Sequence, residues 1–157
     1  MLPTHRFIAQ RAGGGGPARP AIRADTARIR ALFSARTPPS DIYATRDPGW
    51  LPIIDLALQG RLPNGVLVVP GQDFLIMARQ QRGALLLDDM VGPELPGLAE
   101  VLAVIPFRFE RVIYGFTPDR LDPDARPEPT TLEEGVLHVR GSWPKLPPFA
   151  VSSVWEH

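Results

Sequence analysis

Between Gly65 and Val91 the chain alternates extended-favouring runs with short turns, and this stretch constrains the fold more than any other. GVLVV, FLIMAR and ALLLDDMV are rich in β-branched and large apolar residues, while PGQD and QQRG between them supply turn chemistry. Connections this short can only reverse the chain, so the stretch is predicted to be a three-stranded antiparallel meander. After GPELP, the run GLAEVLAVIP places Leu98, Val101, Leu102 and Ile105 at i, i+3, i+4 and i+7, the stripe of an amphipathic helix that Pro106 ends. RFERVIYGF then reads as another strand. About 17 residues separate Val91 from Phe109, room for a right-handed helical crossover, which lays 84–91 and 109–116 parallel.

Elsewhere the signals are more local. In DTARIRALFSAR, Asp25 can cap the first turn of a helix whose Ile29, Leu32 and Phe33 share a face, and Pro38 and Pro39 stop it. Residues 48–60 are compatible with a helix begun at Asp47-Pro48 or with a strand carrying Ile54, Leu56 and Leu58, and Pro52 harms either choice. Residues 1–21 combine four consecutive glycines with Pro17 and Pro20 and few large apolar groups, so they are expected to form a flexible arm ahead of a single domain at 22–157. Residues 117–135 read as a Pro- and acid-rich loop, and VLHVR and FAVSS as terminal strands. The whole is an α/β (α+β) pattern, a mixed sheet with an antiparallel meander, one crossover helix and terminal strands.

Composition narrows the functional classes. The chain has 157 residues, about one domain, and no apolar run near the roughly 20 residues that span a bilayer. No segment at its start has signal-peptide character, and it lacks cysteine, so a cytoplasmic setting is expected with neither a disulfide framework nor a membrane. A formal net charge of zero removes the electrostatic case for nucleic acid as main partner. His5, His138 and His157 are far apart and no thiol accompanies them, so no metal site is expected. No G-x-S-x-G elbow is present, and Trp50, Trp143 and Trp155 are expected in cores.

The order helix, meander, crossover helix, parallel strand, terminal hairpin, with the phrases GALLLDDMVGPELPGLAEVLAVIPFRFERVIYGFTPDRL and VLHVRGSWPKLPPFAV, resembles the GNAT N-acetyltransferase superfamily. More narrowly, it is similar to the C-terminal half of two-module bacterial proteins of that type. The resemblance implies acetyl-CoA as cofactor, with a pyrophosphate loop between the last meander strand and the crossover helix. Here that place holds Val91-Gly92-Pro93-Glu94-Leu95-Pro96-Gly97, where two prolines lack an N–H and Glu94 brings a like charge. Gln10-x-x-Gly13-x-Gly15 has the spacing of such a loop but no preceding apolar strand. The cofactor candidates are therefore Gly13, Gly15, Met90, Val91 and Gly92. For the chemistry, the resemblance offers Asp88 or Asp89 as base toward an amine and Tyr114 on the neighbouring strand as acid toward the thiolate. Strand alternation allows only one of the two aspartates to face any cleft.

Three functions follow. The first is a GNAT-like module without tightly bound acyl-CoA that supports or completes an acyltransferase half, or pairs with a second copy of itself. The second is a self-sufficient small N-acetyltransferase using acetyl-CoA. The third is a non-enzymatic interaction module.

Overall fold

The computed structural model of the protein describes residues 4–42, 65–130, 145 and 147–150. The expected helix or strand at 48–60, the strand at 136–140, and Trp50, Trp143, Trp155, His138 and His157 all lie outside them.

The predicted meander is present as β3 (Val66–Val68), β4 (Leu75–Gln81) and β5 (Ala84–Val91), each antiparallel to the next. The crossover is present too. Helix α2 (Leu98–Val104) leads into β6 (Arg111–Tyr114), which runs parallel to β5 from Ala84↔Arg111 to Leu87↔Tyr114. Helix α1 (Thr26–Ser34) follows a 3-10 turn at Arg23–Asp25. Asp25 does not cap α1 through its side chain. Its carboxylate instead accepts from the Ile22 N–H at 2.9 Å and from both Arg19 Nη atoms, at 2.8 and 2.9 Å.

The largest departure from expectation is at the chain start. Residues 1–21, read from the sequence as an arm, supply β1 (Thr4–Ala9) and the short β2 (Arg19–Pro20). The complete order among the described residues is β2-β3-β4-β5-β6-β1-β7, a seven-stranded, mostly antiparallel sheet. β1 inserts between β6 and β7 (Arg126–Thr130), antiparallel to both, with Phe7 opposite Tyr114 on one side and Pro127 on the other. Phe7 and Ala9 provide the buried half of a six-residue alternation too short to signal from composition. β7 corrects the reading of 117–135 as loop throughout. Among the described residues β7 is the outermost strand, a place where the missing N–H groups of Pro127 and Pro129 are tolerated. Phe149 and Ala150, expected to open a terminal strand, are buried but lie in none; the rest of FAVSS lies outside the described residues.

Helices cover both faces of the sheet. On one face Val101, Val104 and Ile105 of α2 and its C-terminal end join Leu85, Leu87, Met90, Val112, Tyr114 and Phe116 in the larger core. On the other, Ile29, Leu32 and Phe33 of α1 join Val66, Leu75, Met77 and Val91, the stripe read from the sequence. Truncating one fully buried leucine such as Leu87 to alanine is the kind of change that costs about 2–5 kcal/mol.

The four-glycine run has a packing role. It passes across the C-terminal end of α2, where Gly16, Gly15 and Gly13 donate N–H groups to the carbonyls of Ile105 at 2.7 Å, Pro106 at 3.3 Å and Phe109 at 3.2 Å, and Ala18 donates to Val104 at 3.0 Å. Carbonyls at a helix end have no intrahelical donor, so this strap satisfies groups that would otherwise be unmatched. The approach is close enough to require glycine. A Cβ on Gly16 would lie 2.2 Å from the Ala103 carbonyl oxygen, and one on Gly14 2.6 Å from the Arg108 Cα.

Candidate functional site

The aspartate pair sits on an irregularity of the central strand. Leu85, Leu87 and Met90 face the α2 core, whereas Val91 faces the α1 core. Two steps from Leu85 to Leu87 keep the face, but so do three steps from Leu87 to Met90, one residue too many for a regular strand. The register with β4 slips at the same place: Met77 stands opposite Asp89 and the next residue, Ala78, opposite Leu87. Asp88 is the extra residue of a β-bulge. Simple alternation is thereby broken, and both aspartates reach arginines on the α1 face. Arg79 Nε donates to Asp88 Oδ2 at 3.3 Å, and Arg36 Nη2 donates to Asp89 Oδ1 and Oδ2 at 3.1 Å each.

The two carboxylates differ in depth. Asp89 is buried, and loss of water pushes its pKa up to about 6 despite the Arg36 cation and the Met90 N–H at 2.8 Å, which both hold it down. Asp88 is half-buried, and burial raises its pKa against the lowering effect of Arg79. The bulge lies just beyond the point where β5 and β6 part. Their pairing ends at Leu87↔Tyr114 and the bond from Gly115 N–H to the Leu87 carbonyl at 2.8 Å, and β5 continues to Val91 alongside β4. The segment after α1 crosses this fork. Thr37 donates its N–H to the Gly92 carbonyl at 2.8 Å and its hydroxyl to the Pro93 carbonyl at 2.5 Å, and Asp41 donates its N–H to Asp119 Oδ2 at 2.9 Å.

Tyr114 is not brought to the aspartates. It belongs to the α2-side core, and its hydroxyl donates to Asp122 Oδ2 at 2.7 Å. Burial first, and then that bond, raise its pKa well above the usual phenol range, which makes it a poor source of protons. Asp122 is the hub of this second cluster: it also accepts from Arg11 Nη2 at 3.0 Å and Nε at 3.3 Å. The hydrogen bond and charge of Asp122 raise the Arg11 pKa. Seven arginines fall in residues 1–36 against one acidic residue, and Asp122 lies in the acid-rich loop, but nothing local says that positions 11 and 122, or 36 and 89, meet.

The cofactor candidates are likewise engaged elsewhere. Met90 and Val91 point into opposite cores. Gly92 is buried so closely against the turn that leads into β4 that a Cβ would lie 2.7 Å from the Asp73 carbonyl oxygen. The Gly13 and Gly15 N–H groups are bonded to backbone carbonyls of the strap contact and point at no vacant anion site. Next to the 91–97 turn lies an open cavity of about 440 Å³, between the β3–β4 turn and the start of α2. Phe74 and Leu95 give it apolar walls, and Asp73, Glu94 and Glu100 line it with carboxylates. Among the described residues no group of His, Cys, Asp and Glu could hold a metal ion, and no helix is long and apolar enough to cross a membrane.

No protein-family model, curated protein or solved structure matches this chain.

Proposed function

We propose that this protein is a GNAT-like module that holds no acyl-CoA of its own and supports or completes an acyltransferase half. The reading is supported by element order: the meander, α2 and the parallel β6 follow the sequence of elements that the resemblance implies. One observation carries the non-binding part. The turn between β5 and α2, where a diphosphate would dock, presents Pro93 and Pro96 without N–H groups, and Asp73, Glu94 and Glu100 surround the adjoining cavity. A diphosphate there would meet three carboxylates and few donors, the reverse of a phosphate cradle. The opposite-face placement of Tyr114 and Asp89 further weakens the self-sufficient enzyme as an alternative.

The test is thermal unfolding with acetyl-CoA, alone and with a co-expressed GNAT-type acyltransferase half. A binder at 100 times its dissociation constant would add about 2.7 kcal/mol. No shift is expected for the chain alone, and co-purification with a changed kcat/KM is expected for the pair. A saturable acetyl-CoA shift of the isolated chain, or absence of any association, overturns the reading.

A further inference from the structure

The β4–β5 hairpin carries opposite charges at its two ends. At one end Gln81 pairs with Ala84, so the turn is only Arg82-Gly83, with φ of +49° and +77°. Two positive φ values belong to a type I′ hairpin turn, whose first position ordinarily holds asparagine, aspartate or glycine. Arginine stands there instead, exposed at the tip. Arg111 lies at the same end, since it pairs with Ala84, and so does Arg108, whose carbonyl accepts from Gln80 Nε2 at 2.7 Å. All three arginines are exposed and none makes an ion pair among the described residues, although Glu110 lies between the last two in the chain.

The other end of the hairpin is acidic and hollow. Just before β4 begins and just after β5 ends, the chain borders the open cavity of about 440 Å³, which Asp73, Glu94 and Glu100 line together with Phe74 and Leu95. None of these carboxylates is in an ion pair among the described residues. Arg28 reaches the Gln72 carbonyl beside the cavity, but its Nη2 serves that carbonyl and the Val69 carbonyl. A cavity of this volume is large enough for a ligand, and apolar walls with carboxylates suit an aliphatic stem that ends in a cation. An arginine side chain has that form.

Tip and cavity cannot meet within one molecule. β4 alone has seven residues, roughly 23 Å of extended chain, and it lies between them. Between molecules the two ends are complementary, and a formal net charge of zero leaves no overall repulsion between copies. We propose that this protein associates head to tail, the Arg82 side chain of one copy occupying the carboxylate-lined cavity of the next. Such a contact joins unlike patches, so each added copy leaves one tip and one cavity free, and the assembly grows as an open chain unless it closes into a ring. The inference goes beyond the acyltransferase reading and is independent of it, since it calls on no cofactor and no second protein.

The experiment is sedimentation velocity of the full chain over a concentration series at about 20 mM and about 500 mM NaCl, between which the Debye length falls from roughly 20 Å to roughly 4 Å. Growth past the dimer with rising concentration is expected at low salt, and its loss at high salt. Two variants divide the contact. Arg82→Asn removes the cation and gives the turn a residue it favours, so the hairpin is kept. Glu94→Gln combined with Glu100→Gln neutralises two exposed side chains of the cavity. Alone, each variant is expected to associate at least about tenfold more weakly than the wild type. Mixed, they are expected to form a 1:1 dimer that grows no further, because the first still offers a cavity and the second still offers a tip. A wild type that stays monomeric at low salt overturns the proposal, as does association that survives high salt, undiminished association of Arg82→Asn, or a mixture that fails to pair.

Discussion

The two faces of the sheet close themselves by different means. On the α2 face the glycine strap matches the carbonyls at the helix end, and Asp122 gathers Arg11 and Tyr114, while His5 Nδ1 on β1 is buried without a partner among the described residues. On the α1 face the same kind of buried arginine–aspartate contact is left with unused donors, beside a bulge that turns two consecutive carboxylates to one side. The contrast is between an ion cluster whose donors and acceptors are paired and one in which two guanidinium nitrogens are not. A matched network rigidifies, whereas a partly matched one is where binding or titration can act.

The strongest way to break this contrast is to pry open the matched face. Gly16→Ala puts a Cβ 2.2 Å from a backbone oxygen that cannot rotate away, so the strap must leave α2; a loss of about 3 kcal/mol or more is expected in urea unfolding. Gly15→Ala, with open space around its Cβ but φ at +77°, is the control and is expected to cost only about 1 kcal/mol. Equal effects of the two changes would remove the strap from the account of this face.

The α1 face is sharpened by pH. Asp89 titrates near 6 when folded, above the roughly 3.9 of an unfolded aspartate, so between these values the folded state holds the extra proton. The stability this gives is complete below about pH 4 and lost as pH rises through about 6. Relative to Asp89→Asn, the wild type is expected to lose on the order of 2–3 kcal/mol between pH 4 and pH 7. Asp25 moves oppositely: the Arg19 hydrogen bonds lower its pKa, so its contribution is present at neutral pH and lost on acidification. Parallel pH profiles for wild type and Asp89→Asn would contradict the burial of that carboxylate.

The smallest effect belongs to Tyr114→Phe, which removes one donor from Asp122 but leaves Arg11 in place. A loss of about 1–2 kcal/mol is expected, with no change in the pH region where Asp89 titrates. A shift of that region would mean that the two faces are coupled through the sheet.

What the sequence determined by itself was the local half of the molecule. The meander, α1, α2 and the parallel β5–β6 pair were legible because each carries its period within a dozen residues, and proline and glycine mark the ends. Tertiary structure alone decided the rest. β1 has only Phe7 and Ala9 to bury, and it becomes a strand because β6 and β7 offer free edges on either side of it. The glycine run looks like an anion loop until α2 supplies its carbonyls. The bulge at Asp88 leaves no mark in ALLLDDMV, because an extra residue is defined only against the partner strand. Arg11 with Asp122, and Arg36 with Asp89, join positions far apart in the chain, and such pairings depend on the closed fold, which brings the charges together and buries them.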